Sequence, residues 1–420
     1  MNPRSVFLTY LGWCPGAQAA SKFVPDRNIS LRVMAVSATI LLTGLTVIAY
    51  FEINSHSLWI PEYKEVPIGE LPVEWVRYFG RSDYDRGKSV LATRDGGYLI
   101  VGYDAVRNVR EWVSESVYLL RTSSNGTLLW DKTYEDTGWD EGNSVIEVED
   151  GYVITGFANE DLLLMKTDSQ GGVIWSKTYG KGSGFSLDEA GDEGYVVVGT
   201  SGDDVLLLRT DEEGEVLWSK TYGGAGKQLG RALQVSRDGG YLIGAITSSD
   251  PSSGNWGFYL LKTDSQGEVV WSKTLGGSKG NWLYAILETP EGGVVAVGDR
   301  ASVDPGRTGG SNTWVIKLDK DGEILWSNAY SGSSGFDAEN TSDGGYVILS
   351  QVHGDVLLMK IDGEGQLEWS KAYGGPLNDF GNSLQVTEDG GYVITGYQEV
   401  TALDQDILLV KVPNLEIETP

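Results

Sequence analysis

Six times along this 420-residue chain a basic residue is followed nine positions later by tryptophan: Arg121/Trp130, Lys166/Trp175, Arg209/Trp218, Lys262/Trp271, Lys317/Trp326 and Lys360/Trp369. A glycine stands four residues before each of these tryptophans: Gly126, Gly171, Gly214, Gly267, Gly322 and Gly365. Two half-copies remain. Trp75 in VEWVRYFG lacks the basic half, and Lys411 in DILLVKV lacks the tryptophan. Counting Trp75, successive tryptophans are spaced by 55, 45, 43, 53, 55 and 43 residues. A period of about 40 to 50 residues with strand-like content points to propeller blades. The two half-copies together make one more unit, so the pattern predicts a ring closed by its own ends.

Each unit reads as four short strands. In the last one, SLQVTED is followed by the turn Asp389-Gly390-Gly391, then by GGYVITGY and DILLVKV. Asp-Gly and Gly-Gly between apolar runs signal hairpins, because primed turns need positive φ. The turn glycine recurs as Gly97, Gly151, Gly194, Gly240, Gly293, Gly345 and Gly391. A second hairpin has the form D-x-x-G, as in Asp168 to Gly171, where the carboxylate is expected to cap backbone N–H groups. Leu162 to Met165 and Val205 to Leu208 are apolar on both faces, as expected of strands sandwiched between neighbouring sheets. The expectation is an all-β, seven-bladed β-propeller over 72–420, preceded by one transmembrane helix. Val73 to Phe79 would pair with Asp406 to Val412 to close it; the alternative places Leu415 to Thr419 on the outer edge and Trp75 in a linker.

The pattern K-x-D-x-x-G-x-x-x-W, with an apolar strand before it and K-T-Y-G-G after it, resembles the tryptophan-docking repeats of quinoprotein-like (PQQ-type) β-propellers. It is more similar still to surface propellers built on D-G-G-Y and W-x-K-T-Y-G-G. The resemblance covers roughly 72–412 and implies a structural docking role for Trp75, Trp130, Trp175, Trp218, Trp271, Trp326 and Trp369. It implies no activity. Quinone-dependent members often carry vicinal cysteines, and Cys14 is the only cysteine here.

Val33 to Phe51 is nineteen residues without a charge, at 1.5 Å per residue long enough for a bilayer core. Arg4, Lys22, Arg27 and Arg32 precede it against one acid, Asp26, and the next twenty residues hold four glutamates and only Lys64. The positive-inside bias therefore predicts a cytoplasmic segment (1–32), a signal-anchor (33–51), an extracytoplasmic stalk (52–71) and an exterior domain. Val47-Ile48-Ala49 also suits signal-peptidase cleavage, which would release that domain. A net charge of −27 argues against nucleic acid and anionic lipid surfaces as partners.

The chain offers no catalytic constellation and implies no metal and no cofactor. His56 falls in the stalk, and His353 sits alone in the turn QVHGD. Gly180-Lys181-Gly182 and Gly224 to Lys227 lack the context of phosphate loops and read as turns. Asp319-Lys320-Asp321-Gly322 resembles a calcium-loop fragment but occupies the repeated hairpin. Asn125 and Asn340 head N-x-S/T sequons,. Long connections at Tyr103 to Ser116, Ile246 to Gly257, Asp299 to Thr313 and Gln398 to Gln405 should share one face with aromatics entering the first strands. Tyr84, Trp112, Trp139, Trp256, Trp282 and Phe380, with Phe185 and Phe336 nearby, are therefore candidates to line a mouth. They would stack on a sugar or anchor a protein, or simply plug the rim; Trp314, on a predicted strand, reads as core. The function expected is a non-catalytic binding or scaffolding module for protein or envelope glycan. The alternative is a quinoprotein-like oxidoreductase or polysaccharide-active enzyme using acids at that mouth.

Overall fold

The computed structural model describes residues 62–415, apart from 82–83, 108–111, 135–138, 192–193, 278–279, 302–310, 333 and 402–403. The expected transmembrane segment, 33–51, lies outside the described residues. Among those described, no helix is long and apolar enough to cross a membrane.

Glycine-rich turns keep most connections between the described strands short, and these strands follow one another as antiparallel meanders. Tyr84–Ala92, Tyr98–Arg107, Trp112–Thr122 and Leu128–Tyr134 pair in that order. Asp140–Val148, Gly151–Ala158, Asp161–Asp168 and the front of Val173–Glu189 repeat the arrangement. The back of that same strand opens the next meander with Tyr195–Ser201, Asp204–Thr210 and Val216–Tyr222. Lys227–Val235 leads a further set, as do Leu283–Glu288 and Gly335–Asn340. Asp379–Val386, Tyr392–Thr401 and Asp404–Val412 supply only three strands, and Trp75–Phe79 adds the fourth, with Trp75 opposite Lys411 and Phe79 opposite Ile407. Trp75 is thus in a closing strand, not a linker.

Side-chain bonds link the first strands into a ring. Asn143 donates to the Gly184 carbonyl (3.0 Å), Asp188 accepts from the Val235 amide (2.9 Å) and Gln234 from the Glu288 amide (2.5 Å). Asn340 donates to the Glu288 carbonyl (3.2 Å), Asp337 accepts from the Leu384 amide (2.8 Å), and Asn382 donates to the Gly87 carbonyl (2.7 Å). Glu147 takes the Arg94 amide at 2.8 Å and completes the circuit. Between the sheets lie apolar cores such as Leu99, Val117 and Leu119 against Ile154, Leu163 and Met165. The runs Leu162 to Met165 and Val205 to Leu208 are buried throughout, as their two-sided apolar character predicts.

Several local expectations need correction. The recurring D-G-G glycine is mostly not the one with positive φ. In the first meander that is Gly96 (φ +83°), within a Thr93-to-Gly97 turn, while a Cβ on Gly97 would meet the Thr122 carbonyl oxygen at 2.3 Å. The first glycine serves conformation and the second serves close approach. Gly180-Lys181-Gly182 is no turn but part of the continuous strand Val173–Glu189. The connection expected at Tyr103 to Ser116 is largely an extended hairpin, with Ala105 paired to Glu115. Gln398 to Gln405 is likewise paired, Glu399 facing Gln405.

The stalk expected over 52–71 is, from residue 62 on, bound to the sheets. Glu62–Lys64 pairs in parallel with Asn328 to Tyr330, and Gly69–Glu70 with Lys371 and Ala372. Leu71 is buried in the core beneath. The outer strands present open edges, and an unpaired edge accepts any extended segment that reaches it.

Candidate functional site

The repeat residues hold neighbouring sheets together. Each basic residue faces its tryptophan directly across a ladder, Arg121 opposite Trp130 and Lys360 opposite Trp369, for example. Burial would strand these cations, so each needs a counter-charge. The turn aspartate supplies it for five of them, Asp95 for Arg121, Asp150 for Lys166 (2.9 Å), Asp238 for Lys262 (2.7 Å), Asp343 for Lys360 and Asp389 for Lys411 (2.8 Å), while Lys317 donates to the Gly363 carbonyl (3.1 Å). The tryptophan ring then covers the D-x-x-G glycine of the following meander. A Cβ added at Gly126 would lie 2.7 Å from Trp75, at Gly171 3.0 Å from Trp130, and at Gly214 2.9 Å from Trp175. Trp218, Trp271 and Trp326 meet Gly267, Gly322 and Gly365 in the same way. Trp369 packs near Leu415. Rings also meet the next GGY tyrosine, as in Trp75–Tyr98 at 5.7 Å and Trp218–Tyr241 at 6.0 Å. The tyrosine of W-x-K-T-Y completes the latch, with Tyr179 donating to the Gly214 carbonyl (2.6 Å) and Tyr222 to Gly267 (2.8 Å).

In the D-x-x-G turns the aspartate caps amides as its spacing predicts; Asp168 accepts from Gln170 (2.8 Å) and Gly172 (2.7 Å). Asp319 does the same for Asp321 (3.0 Å) and Glu323 (2.8 Å), so the calcium-like fragment is a turn. Asn125 is exposed at a hairpin tip. Asn340 is committed to the Glu288 carbonyl and sits on an inner strand, which removes it as a glycan acceptor.

The candidate mouth residues do not form one platform. Trp139 is 43% exposed. Trp256 and Trp282 are half-buried and pack on each other, centroids 5.5 Å apart at 31°. Phe380 stacks on Tyr397 at 4.6 Å and 13°, with the Arg86 guanidinium 4.1 Å from the Tyr397 centroid and its Nε 2.6 Å from Gln405. Tyr84 is buried against Tyr103 and Ala105, so it lines no open mouth. Trp112 begins a strand, and its side chain lies outside the described residues. Trp314 is core, as expected, its indole N–H 2.9 Å from Ser327 Oγ. Most of these aromatics stand on or beside the first strands rather than in loops, because each first strand begins earlier than its turn signals suggest.

The ring of first strands concentrates charge. Lys88, Phe185, Arg231, Tyr284 and Phe336 occupy matching positions, one residue past the bulge at the Gly87, Gly184 and Gly230 level. Lys88 Nζ lies 3.9 Å from Glu141 and keeps about a third of its side chain open (31%), yet protein surrounds it and burial lowers its pKa. Glu115, brought over by the extended hairpin, is pushed up to about 7 by burial and then by Glu141. Deeper in the ring Asp337 is raised to about 6 and Glu339 to about 8, both chiefly by burial; the Asp337 charge adds to the second. These carboxyls retain some solvent contact but are enclosed by neighbouring first strands. A groove of about 810 Å³, lined by Arg94, Asp150, Lys166, Glu189, Tyr195 and Glu212, lies among the turns between first and second strands and includes none of the candidate mouth aromatics.

No family model matches the chain, and no curated protein matches it. Solved structures do. The chain is similar to the WD40 domain of Neurospora crassa Pan2, at 11% identity and TM-score 0.55, over 82% of this chain and 98% of that one. U3-55K matches at 13% and 0.53 over 80% and 98%, and the WD40 β-propeller domain of Doa1 at 14% and 0.51 over 80% and 96%. The fold is a β-propeller. In this propeller the repeated tryptophan motif is legible from spacing. The counter-charge from the turn aspartates and the charged axis were not, because the separation from aspartate to buried cation varies from 16 residues (Asp150 to Lys166) to 26 (Asp95 to Arg121).

Proposed function

We propose that this chain is a seven-bladed propeller anchored outside the cell by the apolar segment 33–51, serving as a non-catalytic docking module for a protein partner. The meanders led by residues 84, 140, 182, 227, 283, 335 and 379 support the count. The single observation carrying the docking role is Trp139, an exposed indole on the rim beside the Glu115 backbone. A large ring left in water among charged groups suits a protein anchor. A glycan platform is less favoured, because Trp256, Trp282, Phe380 and Tyr397 spend their faces on one another or on Arg86. The tryptophan motif supports kinship with quinoprotein-like repeat propellers.

The test is site-specific photo-crosslinking from position 139 in the full chain, in its own cells, with position 217 on the outer edge as control. One discrete adduct from 139, absent from 217, supports the reading; an identical pattern from both sites refutes it. Anchoring is tested separately, by fractionation and by protease digestion of intact cells. Recovery in the soluble cytosolic fraction would refute the location without touching the docking claim.

A further inference from the structure

Among the described residues, Arg231 is a cation on the axis without a counter-charge. It follows the bulge at Gly230, half-buried among the first strands. Its guanidinium carbon lies 4.4 Å from the Phe185 centroid and 5.8 Å from that of Trp282. Its Nε is buried with no hydrogen-bond partner. Among the described residues no carboxylate pairs with it, and this in a chain of net charge −27. The other cations here are engaged: Lys88 faces Glu141, and Arg86 binds Gln405 and covers Tyr397.

An unpaired, desolvated guanidinium lowers stability. The fold has a better residue for the position. Asn143 and Asn382 occupy it in other blades, and each donates its amide to the next strand. Arginine at 231 therefore works against the ring, and its planar fork is suited to bidentate binding of a carboxylate. Tyr284 and Phe336, 5.4 Å apart on the following first strands, give the same layer an apolar wall.

We propose that Arg231 is the receptor for a carboxylate carried on an aromatic body, bound on the propeller axis. The ligand supplies the charge that the ring withholds, and the aromatic wall selects a flat carrier over a bare oxyanion. This site is separate from the Trp139 rim.

The test titrates the full chain with benzoate and with inorganic phosphate at constant ionic strength, by calorimetry, and repeats both on Arg231→Asn. Unfolding midpoints are recorded without ligand. The expected result is saturable benzoate binding, weaker phosphate binding, at least a tenfold loss of benzoate affinity in the variant, and an unfolding midpoint equal to or above that of the parent. The proposal is overturned by absence of saturable benzoate binding, by phosphate binding as tightly, by unchanged affinity in Arg231→Asn, or by a lower variant midpoint, which would make Arg231 structural.

Discussion

Lys411 pairs with Trp75 across an antiparallel ladder, although the two stand at opposite ends of the described chain. The same lysine holds Asp389 at 2.8 Å, and the same tryptophan covers Gly126 in the first blade. One residue pair thus joins the last blade's sheet, its turn and the neighbouring blade.

Breaking that join should be costly. Trp75→Ala removes a large half-buried ring and opens the contact with Gly126, so a loss of about 3 kcal/mol is expected in urea unfolding. Gly126→Ala attacks the same contact from the other side. Its φ of +75° disfavours a side chain, and the added Cβ would press on the ring, for a loss of about 2 kcal/mol. The two changes share one contact, so the double variant should lose less than the sum.

Acid should loosen the closing turn. Burial by itself would raise the Asp389 pKa, but Lys411, Thr387 and the Gly391 amide outweigh it and hold the carboxyl at about 2. A depressed folded-state pKa stabilises above the ordinary carboxylate range, and that gain is lost as pH falls through about 2. The Asp389 side chain is 55% exposed, so solvent screening keeps the effect small. Asp389→Asn should lower the urea midpoint at pH 7, and the gap should shrink as pH falls towards about 2,. A gap as large at pH 2 as at pH 7 contradicts the assignment.

Glu339 carries the opposite sign. Its raised pKa, about 8, means that ionisation opposes folding. The penalty is absent below the ordinary glutamate range, grows as pH rises, and is complete above about 8. Glu339→Gln should raise the melting midpoint by about 2 °C at pH 8.5 and leave it unchanged near pH 4. Calorimetric scans across that range check it; a loss at pH 8.5 would show the carboxylate to be needed.

Leu275 breaks the latch pattern. In four other blades a tyrosine stands at the matching place and donates to the next glycine carbonyl, as Tyr134 does to Gly171 at 2.8 Å. Leu275 is buried and cannot, while Trp271 donates to the Lys320 carbonyl at 3.1 Å. Leu275→Tyr should gain about 1 kcal/mol through a bond to Gly322. Destabilisation instead would mean that the gap there is too small for the hydroxyl.

The architecture was legible because it is periodic. A tryptophan every 43 to 55 residues and paired glycines mark strand after strand, and the split repeat at the ends announced the Trp75–Lys411 pairing. Features that depend on two distant segments left weaker traces. Glu62 to Glu70 has the composition of a linker, yet it pairs with open edges at Asn328 and Lys371, which sequence-local reasoning does not see. The aromatics are expected around one mouth from their loop positions, but whether a ring faces water is not legible in the sequence: Tyr84 is buried and Trp139 exposed.

The repeating unit and the pairing of Trp75 with Lys411 are therefore written in residue order, since hydrogen-bonded strands impose regular spacing on the residues that make them,. Which charges meet is settled by packing in three dimensions. Among the described residues Arg231 meets no carboxylate while Lys411 does, because the ring brings Phe185 and Trp282 to the first and Asp389 to the second. Electrostatic pairing depends on distance and enclosure in three dimensions, and neither is encoded in the order of residues along one strand.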